Sequence, residues 1–484
     1  MTWTKLLDAR ASFRGFISTR DDPDYRRLVE RWSGNEQNEP NLVFEPVCEN
    51  DISVALRYAV SNDIEVAVVC GGHSFMGASS SAGGVHVDLR RMRGAWVDND
   101  HFGADGVMTI EGGASAGDVG EACALRGTCT TLPAVKELGY MGFALGGGGG
   151  WIMGLIGHAV DQFLEARIVL ASGEIVTASA ESHPDLFWAI KGAGYNFGVV
   201  ASVKIRVRGL PTQIFFGTII YPPSSFEAVF EAAERYLENQ KEDDTLAMVY
   251  QTLGPSGGPA ESIVAFPYYH GDDVAEGRRR FKGFLDIPHI FENTGLQWFP
   301  RSSDSTPQAV WMPMRRYSDG TLFTRMSPKV WLPVLDRLRQ WVAGEGTRYT
   351  GTSMFLGLYC WYYTFTNTGP QFDSAWPLRS PPSDGGGSWR DCAVYITTEK
   401  AEDEAEAIKT AREVVDLIRR RHVEEFGVSS DGWRVYPNGS LLPGTTAEYI
   451  FKENYPRLQG IKARYDPDNV FHKKHAIDPK PAVR

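Results

Sequence analysis

The chain has 484 residues, 60 acidic and 49 basic, giving a formal net charge of −11. That acidic balance argues against a nucleic-acid coat or an anionic-membrane binder, both of which need basic surface. Hydrophobic residues make up 43 %, ordinary for two or three globular domains, and no apolar run approaches the ~18 residues of a membrane span.

The first unit reads strand, helix, strand: an apolar run at 42–44, a helix over 49–61 with Ile52, Ala55, Leu56 and Ala59 on one side, and a strand over 64–69. That last strand stops at Gly71-Gly72, so a tight turn follows. Strands at 85–89 and 107–110 and a helix over 116–125 come next. Residues 139–150 are glycine-rich, with five consecutive glycines at 146–150. The apolar flanks (Phe143, Leu145, Trp151, Ile152, Met153) favour a buried stretch approaching a ligand over a solvated linker. A hairpin over 164–170 and 174–178, a short helix over 185–190 and a strand over 197–207 complete this half.

After about Pro211 the texture changes. Strands are expected at 215–221, 247–252, 262–268, 353–364 and 389–397, and helices at 225–240, 274–285, 329–343 and 402–426. This is an antiparallel sheet with helices packed on it, an α+β pattern. Residues 370–387, rich in proline and glycine, form a loop and a candidate lid. A helix over 447–465, interrupted at Pro456, stops at 466–471 and packs back on the first unit.

The six cysteines (Cys48, Cys70, Cys123, Cys129, Cys360, Cys392) contain no Cys-x-x-Cys, and the N-terminus has no apolar signal segment. A cytoplasmic protein with reduced thiols is therefore expected. Neither His-Glu-x-x-His nor a Walker loop occurs, so no metal site is expected and nucleotide hydrolysis is disfavoured. Gly-x-Ser-x-Gly occurs at 113–117 and 254–258, but without a histidine and acid in hydrolase order. Gly71-Gly72-His73-Ser74 is the sharpest local signal. Backbone N–H groups in such a turn form a nest for anions, and the histidine suits a base, a ligand or a covalent attachment point.

In this order the motifs resemble the berberine-bridge-enzyme-like FAD-linked oxidases of the vanillyl-alcohol-oxidase superfamily, over about residues 40–207 and 430–478. Ala67 to Ser74 is similar to the flavin pyrophosphate loop with its flavinylated histidine, here His73. Residues 83–92, 110–119, 142–148, 161–170 and 185–200 resemble the following segments in turn. Tyr436-Pro437-Asn438 resembles the family's Tyr-x-Asn, and residues 465–471 its C-terminal signature. The resemblance implies a two-part FAD-binding domain, residues 1–210 and 427–484, and a substrate domain, residues 211–426. It places FAD against Cys70, Gly71, Gly72, His73, Ser74, Gly77, Gly139, Gly142, Gly146, Gly147, Asn196, Gly198, Val200, Tyr436 and Asn438.

Three departures matter. Val135 to Gly139 has no cysteine where many members form a second flavin link, and Cys129 is too distant, so one covalent bond through His73 is expected. Val69-Cys70 replaces an Arg-Ser-like pair, removing a cation that would assist flavinylation. Phe143 stands where histidine is usual.

The implied activity is oxidation of a small phenolic, polyketide or alkaloid-type metabolite. Hydride passes to flavin N5 and O2 reoxidises the flavin to give H2O2. Rival readings keep the pocket for a cyclisation without net redox, give a dehydrogenase with poor O2 reactivity, or make a non-enzymatic flavin binder. Tyr436 is the candidate base, assisted by Arg434 two residues before it, unless it only lines the flavin. Tyr359, Trp361 and Tyr363 share one strand face and are candidates to grip substrate; regular alternation aims only one of Tyr250 and Gln251 at it. Arg315, Arg316 and Arg325 are read as surface arginines. The Asn438-Gly439-Ser440 sequon is expected to be unused.

Overall fold

The computed structural model of the chain describes residues 9–75, 77–251, 261–304, 314–344, 353–360, 372–376, 389–427, 433, 435–439, 442 and 444–480. Three sheets organise them. A four-stranded sheet runs Phe16–Ser18, Leu42–Glu45, Val85–Asp88, Val66–Val69; its last three strands are mutually parallel and the first is antiparallel. The helix Glu49–Ser61 is the crossover between Leu42–Glu45 and Val66–Val69 and buries Ile52, Ala55, Leu56 and Ala59, the side its spacing predicts.

An antiparallel five-stranded sheet has the order Ala95–Asp98, Gly106–Glu111, Val199–Val207, Phe163–Val169, Ile175–Ser179. Ser115, inside the first Gly-x-Ser-x-Gly, caps the helix Ala116–Ala124 by accepting the Asp118 N–H, while the Asp118 carboxylate accepts the Ser115 N–H and hydroxyl. It is a helix cap and not a nucleophile. The second Gly-x-Ser-x-Gly lies outside the described residues.

The third sheet is antiparallel and nine-stranded. Its path is Phe291–Glu292, Ile219–Tyr221, Ser262–Tyr269, Asp244–Gln251, Ser353–Cys360, Arg390–Thr398, Arg315–Phe323, with Gln213–Phe216 and Gly295–Trp298 joined at one side. The helices Phe226–Asn239, Pro328–Ala343 and Glu404–Phe426 cover one face. Phe230, Trp331, Leu335 and Val414 pack there on Met248, Leu356 and Val394, each contributing ~1.5–3 kcal/mol. The other face turns towards the first two sheets.

Several boundaries differ from the sequence reading. The strand expected at 215–221 is broken at Gly217, where a Cβ would sit 2.5 Å from Thr294 Cα, and the Thr218 N–H goes to Asn293 Oδ1. The helix expected at 274–285 splits at Phe281. The C-terminal helix breaks at Lys452, which has a positive φ, and not at Pro456; Pro456 lies in the first turn of Tyr455–Tyr465, where its missing N–H costs nothing. Of the candidate lid, residues 372–376 are described. Trp376 is buried against Gly147 and Gly192, so this part is core and not a lid.

Candidate functional site

The strand Val66–Val69 delivers the chain to Gly71 and Gly72. Gly72 has φ +71°, a region that favours glycine. Gly71 lies against the second glycine loop so closely that a Cβ on it would sit 2.2 Å from Gly139 N. A Cβ on Gly139 would sit 2.3 Å from Cys70 Sγ. The two loops thus meet backbone to backbone, as the absence of side chains at both positions requires.

Between these loops and the nine-stranded sheet lies a cavity of about 380 Å³. Loop residues 70–75, Gly139, Gly142 and Gly149 form one wall, and Tyr359, Asp391 and Tyr395 another. Tyr195, Tyr436, Asn438 and Lys474 close it.

Tyr436 is held with unusual completeness. Its Oη accepts the N–H of Gly148 at 3.1 Å, the N–H of Gly149 at 3.0 Å and Asn438 Nδ2–H at 3.1 Å. A neutral phenol offers two lone pairs, whereas a phenolate accepts three donors. Burial pushes the Tyr436 phenol up to about 12, and these donors pull the other way. The ring rests on Trp376 at 5.3 Å. Asn438 also donates to Phe143 O at 2.9 Å and accepts from Lys474 Nζ at 2.6 Å. Lys474 lies 4.6 Å over the Tyr195 ring, and burial pulls its ammonium down to about 7.

Asp391 faces Tyr436 from the sheet. A Cβ on Gly439 would be 3.6 Å from both Asp391 Oδ1 and Tyr436 Cβ. Burial raises the Asp391 carboxyl to about 7, and its charge in turn raises Tyr436. Beside it, the Tyr359 and Tyr395 hydroxyls bond to each other.

A family model described as FAD binding domain matches residues 40–179, and another, described as berberine and berberine like, matches residues 443–478. The chain therefore carries an FAD binding domain and a berberine-like segment, and its relatives are FAD-linked oxidoreductases. The FAD-linked oxidoreductase pgmH of Aspergillus terreus is 29 % identical across 98 % of this chain and 96 % of its own length. The (R)-6-hydroxynicotine oxidase of Paenarthrobacter nicotinovorans is 26 % identical across 97 % of this chain and 98 % of its own. The solved glucooligosaccharide oxidase of Acremonium strictum shares the fold, with a TM-score of 0.78 at 17 % identity over 98 % of this chain and 99 % of the other; its description names a 6-S-cysteinyl, 8α-N1-histidyl FAD.

FAD is the cofactor of this oxidoreductase, and the residues present fit it. The Tyr195 hydroxyl and Asp391 Oδ1 are buried without a hydrogen-bond partner among the described residues. Both belong to the cavity lining, and such groups call for a polar ligand. Eleven of the residues that the resemblance places against FAD line this cavity: Cys70, Gly71, Gly72, His73, Ser74, Gly139, Gly142, Gly198, Val200, Tyr436 and Asn438.

Others do not line the cavity. Gly77 turns the chain beyond His73, its φ +75° and its carbonyl taking the Ser80 N–H. Gly146 and Gly147 leave room for Asn438, Trp376 and Tyr436. Asn196 is fully buried and staples the C-terminal segment, donating to Lys474 O and His475 O and accepting from the Ile477 N–H. Cys129 is buried away from the cavity, its N–H bonded to Arg208 O.

Among the candidates for substrate contact, Tyr359 lines the cavity. Tyr250 does not: it turns to the helix face, packs on Phe226 and donates to Glu261 Oε1. Gln251 donates to Ser262 Oγ at the strand end, off the cavity. Trp361, Tyr363 and Arg434 lie outside the described residues. Arg316, read as a surface residue, is 4 % exposed. The sequence reading missed Asp391, Tyr395, Trp376 and Lys474. Asp391 and Tyr395 stand on the strand expected at 389–397, whereas no expected element pointed to Trp376 or Lys474.

Among the described residues no group of histidine, cysteine, aspartate and glutamate is arranged to hold a metal. No helix there is long and apolar enough to cross a membrane.

Proposed function

We propose that this oxidoreductase is an oxidase of a small phenolic, polyketide or alkaloid-type molecule, with Tyr436 as its base. The observation that carries the reading is the set of three N–H donors on Tyr436 Oη inside the FAD cavity. Bound FAD supplies a hydride acceptor, and O2 takes the electrons as H2O2.

The protein's part is to orient the substrate and move a proton. Tyr436 Oη receives the proton of a substrate O–H or N–H as its own proton leaves; the three donors oppose the burial that holds the phenol at about 12 and stabilise the charge it bears in between. Asp391, ionised above about 7, shares that proton, so the two titrate as a coupled pair. Tyr359 and Tyr395 offer ring faces to a flat substrate. The curated relatives include a nicotine oxidase, so amines join phenols and alcohols as candidate substrates.

We assign FAD to residues 1–210 and 427–484 and substrate to residues 211–426. The family matches at 40–179 and 443–478 fall within the first set. We also assign a single covalent bond, through His73, because Val135 to Gly139 offers no thiol.

The test is a panel of phenols, alcohols and cyclic amines, assayed for H2O2 with purified protein. At least one member is expected to yield peroxide, and Tyr436→Phe to lower its turnover by about a hundredfold or more. Product formed without O2 uptake would replace oxidation with cyclisation. Flavin bleaching with slow reoxidation in air would make the protein a dehydrogenase.

A further inference from the structure

We infer that Arg316, acting through Trp32, is the residue that positions His73 for its covalent bond to FAD. The inference rests on the single-link reading above. The sequence around Gly71-Gly72-His73 lacks a neighbouring cation, since Val69-Cys70 precedes it. The fold supplies one from 243 positions away in number: His73 and Arg316 meet on the same indole.

Residues 32–35 form a buckle between the flavin loop and the nine-stranded sheet. On the loop side, the Trp32 N–H donates to Gly72 O at 3.1 Å, and its ring stacks on His73 with centroids 5.4 Å apart and planes 16° apart. On the sheet side, the Arg316 guanidinium lies 4.2 Å over the Trp32 ring and Nη1 donates to Trp32 O. The Arg316 N–H is taken by Asn35 Oδ1 at 3.1 Å, and Asn35 Nδ2 returns a bond to Arg316 O. A strand of the second half of the chain therefore fixes the plane of the imidazole.

The bond to be formed joins an imidazole nitrogen to the ring-methyl carbon of the isoalloxazine. One proton leaves the methyl group and one leaves the imidazole. Two electrons and two protons stay on the flavin, and O2 removes them as H2O2. His73 must therefore be neutral, with a lone pair free to attack. Burial, with the Arg316 charge acting in the same direction, lowers the His73 imidazole to about 4. A planar cation stacked on an indole does both tasks, holding the ring and disfavouring imidazolium.

The test follows the bond itself and needs no substrate. Wild type, Arg316→Met, Arg316→Lys and His73→Ala are incubated with FAD in air and precipitated with acid. Flavin in the pellet and the mass of the intact chain report linkage, and FAD binding before acid reports folding. The wild type is expected to give a yellow pellet and His73→Ala a white one. Arg316→Met is expected to bind FAD but to link about tenfold more slowly, because the imidazole is no longer held in plane against the flavin. Arg316→Lys should recover part of the rate. Equal rates in wild type and Arg316→Met would overturn the role of Arg316 and leave the histidyl bond standing. A white pellet from the wild type would overturn both. Where Arg316→Met does not fold, Trp32→Leu is read in the same assay, and an unchanged rate there overturns the inference.

Discussion

Lys474 Nζ donates to Asn438 Oδ1 at 2.6 Å, and the same amide passes Nδ2–H to Tyr436 Oη at 3.1 Å. An ammonium on the carbonyl side polarises the amide and strengthens the N–H it presents to the phenol. Lys474→Met keeps the length of the side chain and removes this charge-assisted bond. Turnover is expected to fall about tenfold, the worth of one such bond. Because burial brings the ammonium down to about 7, its charge is present below that pH and fades above it. The alkaline limb of the wild-type pH profile should therefore be missing in Lys474→Met, as steady-state rates across pH will show.

Asp391 supplies the opposite limb. Its carboxyl, raised to about 7 by burial, is protonated below that pH and cannot accept a proton there. Activity should rise as pH climbs through about 7. Asp391→Asn should abolish that rise, leaving a lower, flatter profile. The same substitution removes a carboxylate that folding holds protonated. Between the ordinary carboxylate range and about 7 the native state binds the extra proton, so Asp391 lowers stability as pH rises through that window. Denaturation midpoints of Asp391→Asn should lack that fall.

Gly139→Ala tests the contact between the two glycine loops. Its Cβ would meet Cys70 Sγ and Gly71 N at 2.3 Å, and the second of these is backbone. Overpacking of this kind costs ~1–3 kcal/mol. The melting temperature should drop, and the loops should part enough to reduce bound FAD per chain, measured by flavin absorbance after purification.

Lys462 holds the C-terminal segment that carries Lys474. Fully buried, it bonds Asp466 Oδ2 at 2.6 Å, Asn196 O at 2.8 Å and Phe471 O at 2.7 Å. Lys462→Met leaves the Asp466 charge buried without its cation, a loss of about 3–5 kcal/mol. Urea unfolding should show it as a lower midpoint with little change in slope.

What the sequence disclosed and what it hid divides along physical lines. The helix over 49–61 and the strand running into Gly71-Gly72 were readable because burial imposes local periodicity and a turn imposes glycine. His73, Tyr436 and Asn438 were readable through resemblance of ordered motifs. The strand Arg315–Phe323 was not, because its Arg316 and Ser318 are buried by bonding distant groups, Trp32 O and Gly439 O, and so break the apolar alternation. Asp391 looked like any polar residue of a strand until the sheet face was set against the glycine loops. Tyr250 and Tyr359 illustrate the same limit: aromatic strand residues alternate, but only pairing between strands fixes which parity faces the cavity. Trp376 sat in a stretch whose prolines and glycines suggested a loop over the site, whereas its indole supports Tyr436 from beneath.

The most direct measurement is the visible flavin absorbance of the purified protein mixed with candidate substrates, first without O2 and then in air. The account predicts that a turned-over substrate bleaches the flavin anaerobically, that air restores the colour with one H2O2 per product, and that Tyr436→Phe slows the bleaching about a hundredfold. A substrate converted to product with the flavin spectrum unchanged, and with no peroxide formed, would contradict it.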